Sequence, residues 1–92
     1  MKVKESGISE RRFEGCKKAL QDFRVDINPP FLVDTEDFSQ KSGYLQSKIL
    51  FSYPQKPTAL IAFSEQLAIG VLKAAREDGI KVPEDLSLVG VD

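Results

Sequence analysis

Histidine is absent from this sequence and cysteine occurs once, at Cys16. One cysteine excludes an internal disulfide, and with no histidine beside it a structural zinc site has too few ligands. The same shortage removes the usual general base and the activated thiol. No glycine-rich loop of the phosphate-cradling kind is present either, so catalytic assignments find no good candidate and the chain reads as a non-enzyme without metal or cofactor. An excess of one charge is also missing: 13 Lys plus Arg stand against 14 Asp plus Glu, for a net charge of −1. Nothing in that balance provides an intrinsic nucleic-acid or membrane surface. No apolar run reaches membrane-spanning length, and the start carries no secretion-signal pattern. A reducing, cytoplasmic setting fits the lone cysteine. Repeats, linkers and low-complexity segments are absent too, and 92 residues, 41% of them hydrophobic, make one globular unit at most.

What is present is organised around residues 57–92. Residues 59–63 form a short apolar run, after which Leu67, Ala68, Val71, Leu72 and Ala75 recur at helical spacing. Ser64 can cap the first amides of that helix, and Glu65 complements the positive end of its dipole. Gly79 supplies a left-handed residue past the helix end, with Pro83 beyond it. A second apolar run ends at Gly90-Val91-Asp92. Strand, helix and strand in this order make a βαβ unit with parallel strands and a right-handed crossover.

Upstream, residues 1–7 are polar and without period, and read as a loop. Ser9 is the N-cap expected for a helix over 9–23, whose buried stripe is Phe13, Cys16, Ala19, Leu20 and Phe23. Gly15 inside it weakens the helix by about 1 kcal/mol relative to alanine, which suggests close packing or a nearby ligand. Pro29-Pro30 forbids helix and a strand follows at 31–33. Asp37 with Gln40 has capping-box character and opens a helix over 38–51 that carries Gly43, Tyr44, Leu45, Ile49 and Leu50. The last two elements are a helix over 65–78 and a strand over 87–91, and all three strands are expected to be parallel. The pattern is an alternating α/β layer fold. The first helix has no strand ahead of it and three strands are few for a doubly wound sheet, so the chain reads as a segment of a larger α/β domain.

In open parallel sheets ligands bind beyond the carboxyl ends of the strands. Those ends are residues 35–38, Ser64-Glu65 and Asp92, and the start of the first helix, residues 10–12, belongs on the same edge. Arginine, carboxylates, a hydroxyl and the Phe38 ring suit a polyhydroxylated or heterocyclic small molecule. Simpler readings stand beside these. Arg12 is equally a solvated helix-face residue, Phe38 a staple on Leu45, Asp37 a cap, Asp92 a frayed end, and Glu36 and Glu65 partners of helix dipoles.

Three motifs carry a family resemblance: R-x-x-G at residues 12–15, D-F-S-x-x-S-G-Y at 37–44, and above all G-I-x-V-P-E-D-L-S-L-V-G-x-D at 79–92. From about Ser6 onward the chain resembles the effector-binding domain of bacterial transcription regulators of the lactose/galactose repressor (LacI/GalR) family. The resemblance implies a two-lobed, periplasmic-binding-protein-like fold. Residues 1–92 would then be a partial C-terminal lobe, without the DNA-binding head and the N-terminal lobe. It implies that Arg12 grips the effector, Phe38 stacks on it and Asp92 binds its hydroxyls, while Ser64 and Glu65 stand where the family more often shows Asn-Asp. It also implies a sugar-like small-molecule effector, DNA contact only through the missing head, no membrane contact and a homodimer. The six apolar residues 67–72, LAIGVL, leave their helix without a polar side, which nominates Leu67, Ile69, Gly70 and Leu72 for the dimer interface. The alternative is a sugar- or solute-binding protein of a transport system with the same fold.

Overall fold

The computed structural model describes residues 1–3, 7–22 and 33–90. The element order is β1 (Lys2–Val3), α1 (Gly7–Asp22), β2 (Asp34–Thr35), α2 (Gln40–Leu50), β3 (Ala59–Ala62), α3 (Glu65–Glu77) and β4 (Ser87–Gly90). Every ladder is parallel. Lys2 lies opposite Asp34 and Val3 opposite Thr35. The other ladder runs from Ala59 opposite Ser87 to Ala62 opposite Gly90. Met1 ties the two together: its nitrogen donates to the Ile61 carbonyl at 2.7 Å, and its carbonyl accepts from the Phe63 amide at 3.0 Å. That pair of bonds is the parallel pattern around Ala62, so the strands run in the order β2-β1-β3-β4.

β1 corrects the expected loop over residues 1–7 and supplies the strand that α1 lacked. Two residues, one of them a lysine, show no periodic signal, and their strand character comes from backbone pairing alone. β2 begins at Asp34, one residue past the expected strand over 31–33, of which only Val33 falls among the described residues. α1 starts at Gly7, so Ser9 lies inside the helix and is not its cap. The expected end of α1 at Phe23 lies outside the described residues. Gly15 also departs from expectation: a Cβ there would have nothing within 4 Å, so close packing does not explain this glycine.

The core lies where α2 and α3 meet the β3-β4 ladder. Leu50, Phe51, Leu60, Ala62, Leu67, Val71, Ala74, Ala75 and Leu86 form one buried cluster. Apolar burial at about 25 cal/mol per Å² is the main force holding this layer together. α3 ends as its sequence predicts. Gly79, at φ +71°, follows the Asp78 cap, and the Ile80 amide reaches back to the Ala75 carbonyl at 2.8 Å while the Gly79 amide meets the Arg76 carbonyl at 3.3 Å. These are the two bonds of a Schellman ending, with Ile80 packed against the core.

Two glycines set the contact between α2 and α3. A Cβ on Gly43 would stand 3.0 Å from the Leu67 Cα, and one on Gly70 would stand 2.6 Å from the Tyr44 nitrogen. Backbone therefore meets backbone here. This contact turns Gly43, Ser47 and Leu50 inward and leaves Leu45 and Ile49 about half exposed. The rim of the same seam is polar. Gln40 bridges Gln66 and Lys73, the Tyr44 hydroxyl donates to Glu77 at 2.6 Å, and Lys48 pairs with Asp78 at 2.6 Å. The bond to Glu77 pushes the Tyr44 phenol above its ordinary range, and the bond to Asp78 raises the Lys48 ammonium.

Candidate ligand-binding edge

The strand order fixes where a ligand can enter. From β1 the chain steps to β2 through α1, whereas from β3 it steps the opposite way to β4 through α3, so direction reverses between the neighbours β1 and β3. Right-handed crossovers place α1 on one face of the sheet and α2 and α3 on the other. In sheets of this order the edge beyond the carboxyl ends of the two neighbouring strands is where ligands generally bind.

Arg12 reaches this point. From the second turn of α1 its Nη1 donates to the Phe63 carbonyl at 3.1 Å, just past the end of β3. The Phe13 ring packs beside that of Phe63, with centroids 6.4 Å apart and planes tilted by 52°. The guanidinium is thereby anchored at the switch point, and the fully solvated reading of Arg12 gives way to a half-buried, hydrogen-bonded one. Ser64 is the next residue. In extended conformation it caps α3, its Oγ accepting from the Leu67 amide at 3.1 Å. That bond occupies the hydroxyl as an acceptor and leaves its proton for donation. Glu65 stands exposed in the first turn of α3, where it complements the dipole.

Past the end of β2, the α2 cap is Ser39, whose Oγ accepts from the Ser42 amide at 3.1 Å, in place of the expected Asp37-Gln40 box. Asp37 instead braces the turn: its Oδ1 accepts from the Ser39 amide at 2.9 Å and from the Ser42 hydroxyl at 2.7 Å. With the Ser39 hydroxyl foremost, these donors hold its carboxyl at about 2. With Ser39 as cap, a staple from Phe38 would have to reach Gly43, which has no side chain. Phe38 is accordingly 37% exposed on the same edge as Arg12 and Ser64. Asp92 lies outside the described residues.

The expected interface residues divide into two pairs. Leu67 is 0% exposed and Gly70 is buried against α2, so both are engaged inside the chain and present no surface to a partner. Ile69 is half-buried and Leu72 is 40% exposed. Thr35, within the expected edge segment 35–38, is buried at the end of β2, and its hydroxyl donates to the Asp37 carbonyl at 3.0 Å, a bond the sequence did not signal. A threonine at a strand end gives no signal of such a bond. Among the described residues no cluster of three or more potential metal ligands occurs, and no helix is long and apolar enough to cross a membrane.

A parallel sheet whose order reverses between neighbouring strands, with helices on both faces, is of the doubly wound α/β class. The chain belongs to the periplasmic binding protein-like domain family, which it matches over residues 1–92. It is 30% identical over 88 residues to the ribose operon repressor of Haemophilus influenzae, covering 96% of this chain and 26% of that protein. Identity is 35% over 81 residues to the H. influenzae HTH-type transcriptional repressor PurR, covering 88% of this chain and 24% of PurR. It is 34% over 88 residues to the Escherichia coli repressor CytR, covering 96% and 26%. Among solved structures, an E. coli sugar-binding transcriptional regulator of the LacI family complexed with phosphate superposes with a TM-score of 0.87 at 32% identity, covering 96% of this chain and 31% of that one. The E. coli transcriptional repressor ascG gives 0.86 at 29% identity, covering 99% and 35%. The resemblance to LacI-family regulators therefore holds in sequence and in fold, and the matched relatives are repressors. The chain spans about a quarter of the length of these curated relatives.

Proposed function

We propose that this chain is the effector-sensing part of a DNA-binding transcription regulator, the partial C-terminal lobe of a two-lobed domain. A sugar or related small metabolite binds at the edge formed by Arg12, Ser64 and Phe38, completed by Asp92. Closure of a second lobe over it shifts the balance between two states of different operator affinity. DNA is met only through a separate head, the assembly is a cytoplasmic homodimer that uses Ile69 and Leu72, and no reaction is catalysed. The observation that carries this reading is the Arg12 bond to the Phe63 carbonyl, which fixes a cation where open α/β sheets take ligands. A solute-binding component of a transport system would use the same geometry, but the repressor relatives favour the regulator. The test uses the full-length protein against a panel of pentoses, hexoses and purine nucleosides. Arg12→Ala should weaken the effector response at least about tenfold, the loss of one charge-assisted contact, while operator binding without effector stays intact. A normal response in this variant refutes the assignment.

A further inference from the structure

Asp37 has no place in the binding edge as described, yet three of its atoms or neighbours are fixed around a single aromatic residue. Its Oδ1 takes the Ser39 amide at 2.9 Å and the Ser42 hydroxyl at 2.7 Å. Its own carbonyl takes the hydroxyl of Thr35, which is 1% exposed. Phe38 thus sits between one residue tied to the buried strand end and another tied to the first turn of α2, while its ring, 37% exposed, has no staple partner because the position it would meet is Gly43. A partly exposed side chain without a staple partner normally samples several rotamers in picoseconds to nanoseconds. Bonds on both sides of it restrict the backbone, and through the backbone the rotamers it can adopt.

We infer that Asp37 is a positioning residue which, together with Thr35 and Ser42, holds Phe38 in one orientation before any ligand arrives. The inference rests on the proposed effector reading for its purpose, since a pre-ordered ring lowers the entropy lost on binding. It does not rest on that reading for its test. These 92 residues contain no tryptophan, so in the full-length protein, with any tryptophan elsewhere replaced by phenylalanine, Phe38→Trp creates a single fluorescent reporter at the ring, and its exposure leaves room for the larger side chain. Time-resolved anisotropy then reads the fast motion of residue 38, with the thermal midpoint followed in parallel. Adding Asp37→Ala should increase the amplitude of sub-nanosecond depolarisation at least about twofold. Asp37→Asn, which keeps an acceptor for the Ser39 amide, should restore most of the order. An unchanged amplitude in Asp37→Ala overturns the inference. So does a gain in motion that Asp37→Asn fails to rescue or that appears only with loss of the folding transition, because either result would make Asp37 a stabiliser of α2 and not a brace for the ring. Failure of the effector reading would show instead in the Arg12→Ala response, with ring order untouched.

Discussion

Gly70→Ala isolates the contact on which the arrangement of α2 and α3 depends. The added methyl would stand 2.6 Å from the Tyr44 nitrogen, 3.0 Å from the Gly43 carbonyl carbon and closer still to the Gln40 carbonyl oxygen. All three are backbone atoms of α2, so no rotamer change relieves the overlap and the helices have to separate. Restoring ordinary contact takes a shift of about 1 Å, and a gap of that size forfeits roughly a quarter to a half of the dispersion energy of each facing atom pair. Overpacking generally costs about 1–3 kcal/mol, and a rigid backbone obstacle puts this case near the top of that range. Alanine in a helix interior returns about 1 kcal/mol over glycine. The net loss is then about 2 kcal/mol, which for a domain of this size lowers the thermal midpoint by roughly 8–16 °C. Gly15→Ala is the internal control. Nothing lies within 4 Å of its Cβ position, so only the helix-propensity gain remains, about 1 kcal/mol and an increase of roughly 4–8 °C. Thermal unfolding followed by far-ultraviolet circular dichroism reads both. A neutral or stabilised Gly70→Ala, or a destabilised Gly15→Ala, would refute the packing account.

Two further outcomes follow from single groups. Asp37 is held at about 2 against an ordinary 3.8; because the folded value is the lower one, its contribution is fully present above about pH 4 and is lost as pH falls towards 2. A carboxyl carbon titration by NMR with a midpoint at 3.8 or above would show that the Ser39 and Ser42 bonds do not form in solution. Ile69→Glu places a charge at a half-buried position of α3, and should convert a dimer to a monomer in sedimentation without changing the thermal midpoint by more than about 4 °C, the shift that accompanies about 1 kcal/mol. A wild-type chain that is already monomeric at high concentration would remove Ile69 and Leu72 from the interface assignment.

The second half of the fold was legible because its signals are local and agree with one another. The apolar run at 59–63, the helical period after Ser64, the cap chemistry of Ser64 and the left-handed Gly79 all specify the same βαβ unit, and the structure returns it as Ala59–Ala62, Glu65–Glu77 and Ser87–Gly90. β1 was not legible, since the two residues Lys2 and Val3 acquire strand character only from partners distant in sequence. The inward face of α2 was not legible for a different reason: its apolar residues include Leu45 and Ile49, yet Gly43 and Gly70 bring the helices together at the small residues and leave those two side chains about half exposed. At the cap, the sequence D-F-S offers two suitable residues two positions apart. Ser39 caps and Asp37 braces it, a division set by backbone conformation and invisible in composition.

Arg12 shows how topology creates a site from residues that carry no joint signal. It lies 51 positions from Phe63, on a helix that the crossover rule assigns to the opposite sheet face from α3. The two meet because β1 and β3 are neighbours whose chains leave in opposite directions, so the start of α1 and the end of β3 border one crevice. The Phe63 carbonyl, which accepts from the Arg12 guanidinium, stands one residue past the last described ladder pair, Ala62 with Gly90. A guanidinium carries its five donors in a rigid planar fork, a geometry that a lysine ammonium at the same place could not match. The bond to the Phe63 carbonyl fixes the guanidinium at the end of β3, and the effector contact proposed for Arg12 starts from that position.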